Sequence, residues 1–142
     1  MADLADHHAY LADALAAAQA APLSRRKAML AALLIDAQVD RVFAAGGRGD
    51  DILEFRARLA AASPALALLF DLCAQRAGGP QLVLEAVTVP VADYGRLGVE
   101  DFMVSLYNNH SVQRLLVVGS DGTTTDMMET LIGALAALEA LT

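Results

Sequence analysis

Residues 78–90 read GGPQLVLEAVTVP, and they mark the point at which the chain changes from a helical to a β pattern. Gly and Pro open this stretch and a second Pro closes it, while the segment between them is rich in the aliphatic and β-branched residues that favour strands. Upstream of residue 78 the apolar residues recur at helical spacing, interrupted only by short links. The sequence therefore predicts a single domain with a helical part, residues 1–77, and a β-containing part, residues 78–142.

The first part predicts four helices, because each apolar segment is bounded by residues that commonly begin or end a helix. Ser24, Asp51 and Ser63 are suitable N-caps, since their side-chain oxygens can accept hydrogen bonds from the free N–H groups of a first turn. Gly78 is typical of the position that follows a last turn. The predicted helices cover residues 3–20, 25–44, 52–62 and 64–77. Four helices joined by such short links predict an antiparallel bundle.

The second part predicts the order β-α-β-β-α. Strands are expected over residues 81–89, 112–119 and 123–125, and helices over residues 99–109 and 127–142. A helix between the first two strands predicts a crossover, and Asp121-Gly122 predicts a type I′ hairpin between the last two. The sheet is therefore expected to be three-stranded and mixed, with Asp126 capping the last helix. The predicted fold class is α+β, with the bundle of four helices packed on this smaller unit.

Composition and charge narrow the classes of partner. Hydrophobic residues make up 56% of the chain and charged residues 19%, against about 45–50% and about 25% in typical soluble domains. The net charge is −7, and residues 78–142 hold 8 of the 17 acidic residues but only 2 of the 10 basic ones. We expect no nucleic-acid or membrane partner, since the sequence has neither a basic stripe nor an apolar run long enough to span a bilayer. An acidic N-terminal segment without an apolar core predicts a cytoplasmic location.

Most polar residues that could form a site are expected in two segments of the second part. The candidate ligand-binding residues are Asp93, Tyr94, Arg96, Tyr107, Asn109 and His110. Convergent polar groups beside an apolar wall are typical of small-molecule sites, so this set predicts a ligand site or a small hydrolase-like enzyme. The competing interpretation is structural: Asn108 or Asn109 ends a helix in the left-handed conformation, and His110 interacts with the last carbonyls. Ser105 and His110 are not a local catalytic pair, because residues five apart lie about 140° apart around a helix.

Two pairs of potential ligands lie in the helical part. His7 and His8 are adjacent, so their side chains point about 100° apart and do not suit one metal ion. His8 falls on a stripe of leucines and is expected at the edge of the core, and no metal or cofactor is expected. Asp36 and Asp40 lie four residues apart on an apolar helix, where like charges repel. They indicate either a paired carboxylate site or neutralisation by Arg41 or by an arginine of the third helix.

The other reactive or charged residues of the helical part have simple interpretations. Arg25, Arg26 and Lys27 form the first turn of the second helix, where cations oppose the helix dipole. The sequence therefore indicates that an anion or an acidic segment of a partner docks near them. Cys73 is the single cysteine and lies in an apolar run, so we expect it to be an inert small hydrophobic residue.

The last predicted helix is apolar almost all round. Met128, Leu131 and Leu135 form one stripe, and small residues at Gly133 and Ala137 permit a close approach by another helix. Such a helix must be covered on two sides, and a second subunit is a simple source of the second cover. We therefore expect a non-catalytic or accessory protein that acts as a homo-oligomer, most simply a dimer, through its C-terminal helix. The alternative is the small-molecule-binding or hydrolase-like protein with a site at residues 93–96 and 107–111.

Overall fold

The computed structural model describes residues 2–46, 51–88 and 111–141, which contain five helices and three strands. The elements are α1 (Ala2–Ala20), α2 (Arg25–Ala45), α3 (Ile52–Ala62), α4 (Pro64–Ala74), β1 (Gln81–Thr88), β2 (Ser111–Val118), β3 (Thr124–Asp126) and α5 (Met127–Glu139). The predicted α+β class is confirmed. The helix predicted over residues 99–109 lies outside the described residues.

The starts of the helices follow the predicted caps. Ser24, Asp51, Ser63 and Asp126 each accept a hydrogen bond from a backbone N–H two or three residues later, at 2.8–3.2 Å. The predicted end of the fourth helix at Gly78 is wrong. The helix ends at Ala74, because Gln75 adopts the left-handed conformation at φ 52° and ψ 40° and so breaks the helical repeat. Gly78 has a φ of +79° and lies in the turn that leads to β1.

The sheet is antiparallel throughout, in the order β1-β2-β3, so the prediction of a mixed sheet is wrong. In the register of β1 and β2, Leu84 lies opposite Leu115 and Thr88 lies opposite Ser111. The chain therefore enters β2 at the end of the sheet where β1 finishes. Antiparallel neighbours do not require the crossover that parallel strands need, so a strand-helix-strand order does not by itself imply the parallel pairing inferred from it.

The hairpin between β2 and β3 is where the sequence predicts it, but its turn is of another type. The Gly119 N–H donates to the Thr123 carbonyl at 2.8 Å, and the Gly122 N–H donates to the Gly119 carbonyl at 3.0 Å. Gly122 has a φ of +85°, whereas Asp121 has no positive φ, so a type I′ turn is excluded. The loop has three residues and ends in a left-handed glycine. The Asp121 carboxylate accepts hydrogen bonds from the hydroxyl and the N–H of Thr123, and these lower the pKa of Asp121.

The core lies among the helices, and Leu115 and Val117 of β2 join it. Helix α2 is central, because α1, α3, α4 and α5 all pack against it. Fully buried members of the core include Ile35, Val39, Leu66, Leu69, Val117 and Leu131. None of the described helices is both long enough and apolar enough to cross a membrane.

Candidate functional site

The predicted ligand-binding residues cannot be placed, because Asp93, Tyr94, Arg96, Tyr107, Asn109 and His110 lie outside the described residues. Both the ligand-site and the helix-cap interpretations therefore stay predictions. The described strands fix only where this segment begins and ends. Since Thr88 pairs with Ser111, β1 ends and β2 begins at the same end of the sheet.

The predicted interface helix, α5, is largely covered within its own chain. Leu131, Ala134 and Leu138 are buried, and the helix packs against α2 and α4 as well as against β2 and β3. A Cβ atom added to Gly133 would lie 3.1 Å from the Cβ of Ala65, so the small residue permits a close approach by α4. The two-sided cover that the sequence requires is therefore supplied by the same chain. This removes the reason for expecting a second subunit on α5.

A different apolar surface lies on the central helix α2. Arg26, Leu30, Leu33, Ala37, Asp40 and Ala44 follow one another at intervals of four and three residues and form what we call the outer stripe. All are exposed except Ala37, which is half-buried. Leu30 and Leu33 are 50% and 41% exposed, and Leu23, which precedes the helix, is 42% exposed. A helix at the centre of the fold thus presents an apolar seam outward.

The sequence alone does not distinguish the outer stripe from the buried side of α2. The segment from Ala28 to Ile35 is apolar on nearly every side, which predicts complete burial. Intervals of four and three residues are those of a helix that packs against a second helix along its length. The buried residues Ala28, Ala32, Ile35 and Val39 follow one another at the same intervals, so the spacing alone does not separate the two sides of α2.

The two carboxylates on α2 share one counter-ion, Arg56 of α3, which favours pairing with an arginine of the third helix among the alternatives that the sequence left open. Its Nη1 donates to Asp36 Oδ1 at 2.9 Å, and its Nη2 lies 3.2 Å from Asp40 Oδ1. Nη2 also donates to the Asp36 carbonyl at 3.0 Å, and the guanidinium stands 4.7 Å from the centre of the Phe70 ring. The arrangement fixes α3 and α4 against α2. The carboxylates are thus engaged in a structural ion-pair network.

Cys73 lies beside this network and is poorly suited to nucleophilic chemistry. Burial raises the pKa of its thiol to about 12, and the nearby carboxylate of Asp36 acts in the same direction, while Arg56 acts in the opposite one. The thiolate is the reactive form, so at neutral pH this thiol stays protonated. The half-buried position agrees with the inert role that the sequence predicts.

The prediction that His8 lies at the edge of the core is wrong, because His7 is the buried histidine of α1. His7 is 5% exposed and its Nδ1 lies 2.6 Å from Gln38 Oε1 of α2, whereas His8 is exposed. The buried face of α1 runs through His7, Leu11 and Ala18, so it is rotated by about 50° from the predicted stripe and shares Leu11 with it. With the amide oriented so that its oxygen faces the ring, the imidazole donates. Within the described residues, no three metal-ligating side chains converge.

The three cations of the first turn of α2 do not form one cluster. Arg25 lines a cleft of about 360 Å³ between the start of α2, the end of α4 and the start of β1. Arg26 belongs to the outer stripe, and Lys27 is half-buried. Arg76 lines the same cleft as Arg25. The walls of the cleft include the apolar residues Met29, Leu72, Pro80 and Leu82. Arg25 is therefore the cation of this turn that faces a concave surface.

A larger cleft, of about 510 Å³, separates the α1–α2 link from β2. Its polar residues already have structural partners. Asp126 accepts hydrogen bonds from the N–H groups of Met128 and Glu129, and Ser24 accepts one from the N–H of Lys27. Arg114 donates to the Gln113 carbonyl at 2.8 Å. These hydrogen bonds are local: they cap the starts of α2 and α5 and join neighbouring residues of β2.

No known protein family, curated protein or solved structure matches this chain. Three features of the described residues distinguish the surface of this chain. They are an outward apolar stripe on a central helix, a cleft with two guanidinium groups, and polar clusters that join the helices to one another.

Proposed function

We propose that this protein is a non-catalytic, accessory protein that acts as a homo-oligomer, with a dimer as its unit. The observation that carries the proposal is the exposure of Leu30 and Leu33, at 50% and 41%, on the helix around which the fold packs. Apolar side chains scattered singly on a surface need no explanation, but a row of them along one helix face is typical of an interaction surface. We assign the interface to the outer stripe of α2 instead of to α5.

The chemistry of the described polar residues supports a non-catalytic role. Arg56 is bound to Asp36 and Asp40, and His7 is paired with Gln38. Cys73 is held as a thiol by burial. These groups connect helices to one another. The ligand-binding or hydrolase-like alternative at residues 93–96 and 107–111 and the cytoplasmic location both stay predictions.

The mass of the purified protein in solution tests the proposal. Light scattering after size exclusion at micromolar concentration should give at least twice the chain mass of 14.9 kDa. Dilution should shift the mass distribution toward the single chain, because association buries only a limited apolar area. A single-chain mass throughout the micromolar range would contradict the proposal.

A second candidate function is the binding of a carboxylate in the cleft that Arg25 and Arg76 share. Two guanidinium groups beside an apolar wall suit a carboxylate carried on an apolar group, because the fork of an arginine matches a carboxylate and the wall covers the remainder. The Arg76 side chain forms an exposed ion pair with Asp71 at 3.3 Å, which a ligand could displace at small cost. On this proposal the anion contact predicted for the first turn of α2 lies at Arg25.

Calorimetric titration with octanoate, and separately with sulfate, tests this second candidate. Octanoate should bind to the wild-type chain, and Arg25→Ala should weaken it by roughly 10-fold. Arg26→Ala is the matched control, since the neighbouring cation lies on the outer stripe. Equal octanoate affinity in wild type and Arg25→Ala would exclude the cleft as the site. If the wild-type chain bound sulfate as tightly as octanoate, only the negative charge would be recognised.

A further inference from the structure

The geometry of α2 points to one specific partner arrangement: a second copy of this chain, packed antiparallel along the outer stripe about a two-fold axis at Leu33. In this arrangement Arg26 faces Asp40 of the partner subunit, and the same pair recurs on the other side of the axis. The inference rests on the proposed function and adds its partner, direction and register.

The first observation is the spacing of the outer stripe. Intervals averaging 3.5 residues keep one side of a helix facing a partner helix, as in coiled coils. The stripe runs from Arg26 to Ala44, a rise of about 27 Å along the helix. A helix of this length with a continuous seam can pack lengthwise against an equal helix.

The second observation is the order of charged and apolar residues along the stripe. A cation stands near one end and an anion near the other, with Leu30, Leu33 and Ala37 between them. An antiparallel copy centred on Leu33 brings Leu33 opposite its own counterpart and Leu30 within one residue, about 1.5 Å along the axis, of the level of Ala37 of the partner subunit. The exposed Leu23 then lies at the level of Ala44 of the partner subunit. At each position along the antiparallel pair, an apolar residue therefore faces an apolar residue, or a cation faces an anion.

Other arrangements of the same seam lose this complementarity. A parallel, in-register copy places Arg26 against Arg26 of the partner subunit and Asp40 against Asp40 of the partner subunit, where like charges repel. If the antiparallel copy is shifted by one position of the outer stripe, Leu30 lies opposite Asp40 of the partner subunit. Charge pattern therefore selects both the direction and the register.

The charged neighbours of the stripe are compatible with this arrangement. Asp40 is bound to Arg56 of its own chain, but its side chain remains 59% exposed and can accept a further hydrogen bond. Arg41 follows Asp40 in the chain, which turns its side chain about 100° further round the helix. Arg41 is also half-buried, so it does not share the exposed seam.

Disulfide trapping tests the direction and the register. In a Cys73→Ser background, Leu30→Cys is mixed with Ala37→Cys under mild oxidation. The arrangement predicts a mixed disulfide between the two variants, because those positions face each other across the antiparallel pair. Each variant alone should cross-link at least roughly 10-fold more slowly, since its cysteines lie on opposite sides of the axis. Efficient cross-linking of Leu30→Cys with itself would indicate a parallel pair and overturn the inference.

Charge reversal provides the second test. Arg26→Glu and Asp40→Lys should each weaken self-association by roughly 10-fold, because each places two like-charge contacts in the dimer. Mixed together they should form a heterodimer, in which both contacts again join unlike charges. Glu85→Lys, which reverses an exposed charge on β1, is the control and should keep the wild-type mass, and circular dichroism checks that each variant is folded. A mixture no more associated than its components would overturn the inference.

The outcomes separate this inference from the proposed function. A wild-type chain that is monomeric at micromolar concentration contradicts both. A wild-type dimer that gives no mixed disulfide and no charge rescue supports homo-oligomerisation but contradicts the antiparallel α2 arrangement.

Discussion

Helix α5 and the segment of α2 from Ala28 to Ile35 have the same kind of sequence, apolar round most of the circumference, yet the chain covers them to different extents. Helix α5 is approached closely by α4, where Gly133 faces Ala65, and it also packs against β2 and β3. Among the large apolar residues described in α5, Ile132 is the one exposed, at 50%. Helix α2 is covered by more helices, but it leaves both Leu30 and Leu33 exposed.

The difference shows what apolar composition can and cannot establish. An all-round apolar helix reveals that several sides require cover. The neighbours that provide cover depend on where the links place them, and for α5 the hairpin brings the sheet to its side. For α2, the α1 side is joined by His7 and Gln38, and the α3 side is joined by Arg56. The side between these two is the outer stripe.

The largest expected change in the free energy of unfolding comes from a comparison of two adjacent residues of α5. Leu131 is completely buried, so Leu131→Glu places a charge in the core and should destabilise the fold by about 5 kcal/mol or more. Ile132→Glu should cost about 1 kcal/mol or less, because half of that side chain is already in water. Chemical denaturation followed by circular dichroism measures both. Equal destabilisation would show that α5 is not covered as described.

The next effect concerns the side of α2 that faces α1. Gln38→Ala removes the partner of buried His7 and should cost about 2 kcal/mol, because a buried polar group is then left without its hydrogen bond. His8→Ala is the matched control and should change stability by less than about 0.5 kcal/mol. Urea denaturation midpoints provide the comparison. A larger loss for His8→Ala than for Gln38→Ala would restore the face of α1 that the sequence predicts.

A smaller effect is expected on the side of α2 that faces α3. Arg56→Met should cost about 1–1.5 kcal/mol, since the half-buried ion pairs and the contact with Phe70 are lost and the two carboxylates repel. Arg76→Met is the control, because its ion pair is exposed, and it should cost less than about 0.5 kcal/mol. The same denaturation experiment measures both variants. Comparable losses would mean that Arg56 does not fix α3 to α2.

The smallest effect concerns the hairpin that leads into α5. Gly122→Val should cost about 1 kcal/mol, because a β-branched residue resists a φ of +85° even though the site has open space for a Cβ. Gly122→Asn should cost less, since asparagine adopts positive φ more readily. The difference between the two denaturation midpoints is the informative quantity. Identical midpoints would show that backbone conformation at this residue does not limit stability.

Local features of this fold are predictable from the sequence, because their interactions span a few residues. The caps at Ser24, Ser63 and Asp126 and the hairpin near Gly122 are of this kind. The direction of β1 against β2 was wrongly predicted, since it depends on the path of the connection. The choice between His7 and His8 also failed, because both are adjacent to apolar positions and only packing selects the buried face.

The candidate sites were less predictable than the fold. The polar residues at 93–96 and 107–110 lie outside the described residues, so their role stays a prediction. The outer stripe was present in the sequence as a spacing, but its leucines stand among other apolar residues that are buried. Exposure of Leu30 and Leu33 depends on which sides of α2 the other helices occupy, and a single sequence does not contain that arrangement in local form.

The mass of Leu33→Glu, compared with that of Ile132→Glu at the same micromolar concentration, tests most directly whether α2 is the surface of association. Both residues are partly exposed, so both variants should fold. We expect Leu33→Glu to run as a single chain of 14.9 kDa, while Ile132→Glu keeps the mass of the wild-type dimer. A Leu33→Glu variant that remains a dimer, or an Ile132→Glu variant that becomes a monomer, would contradict the assignment of the interface to α2.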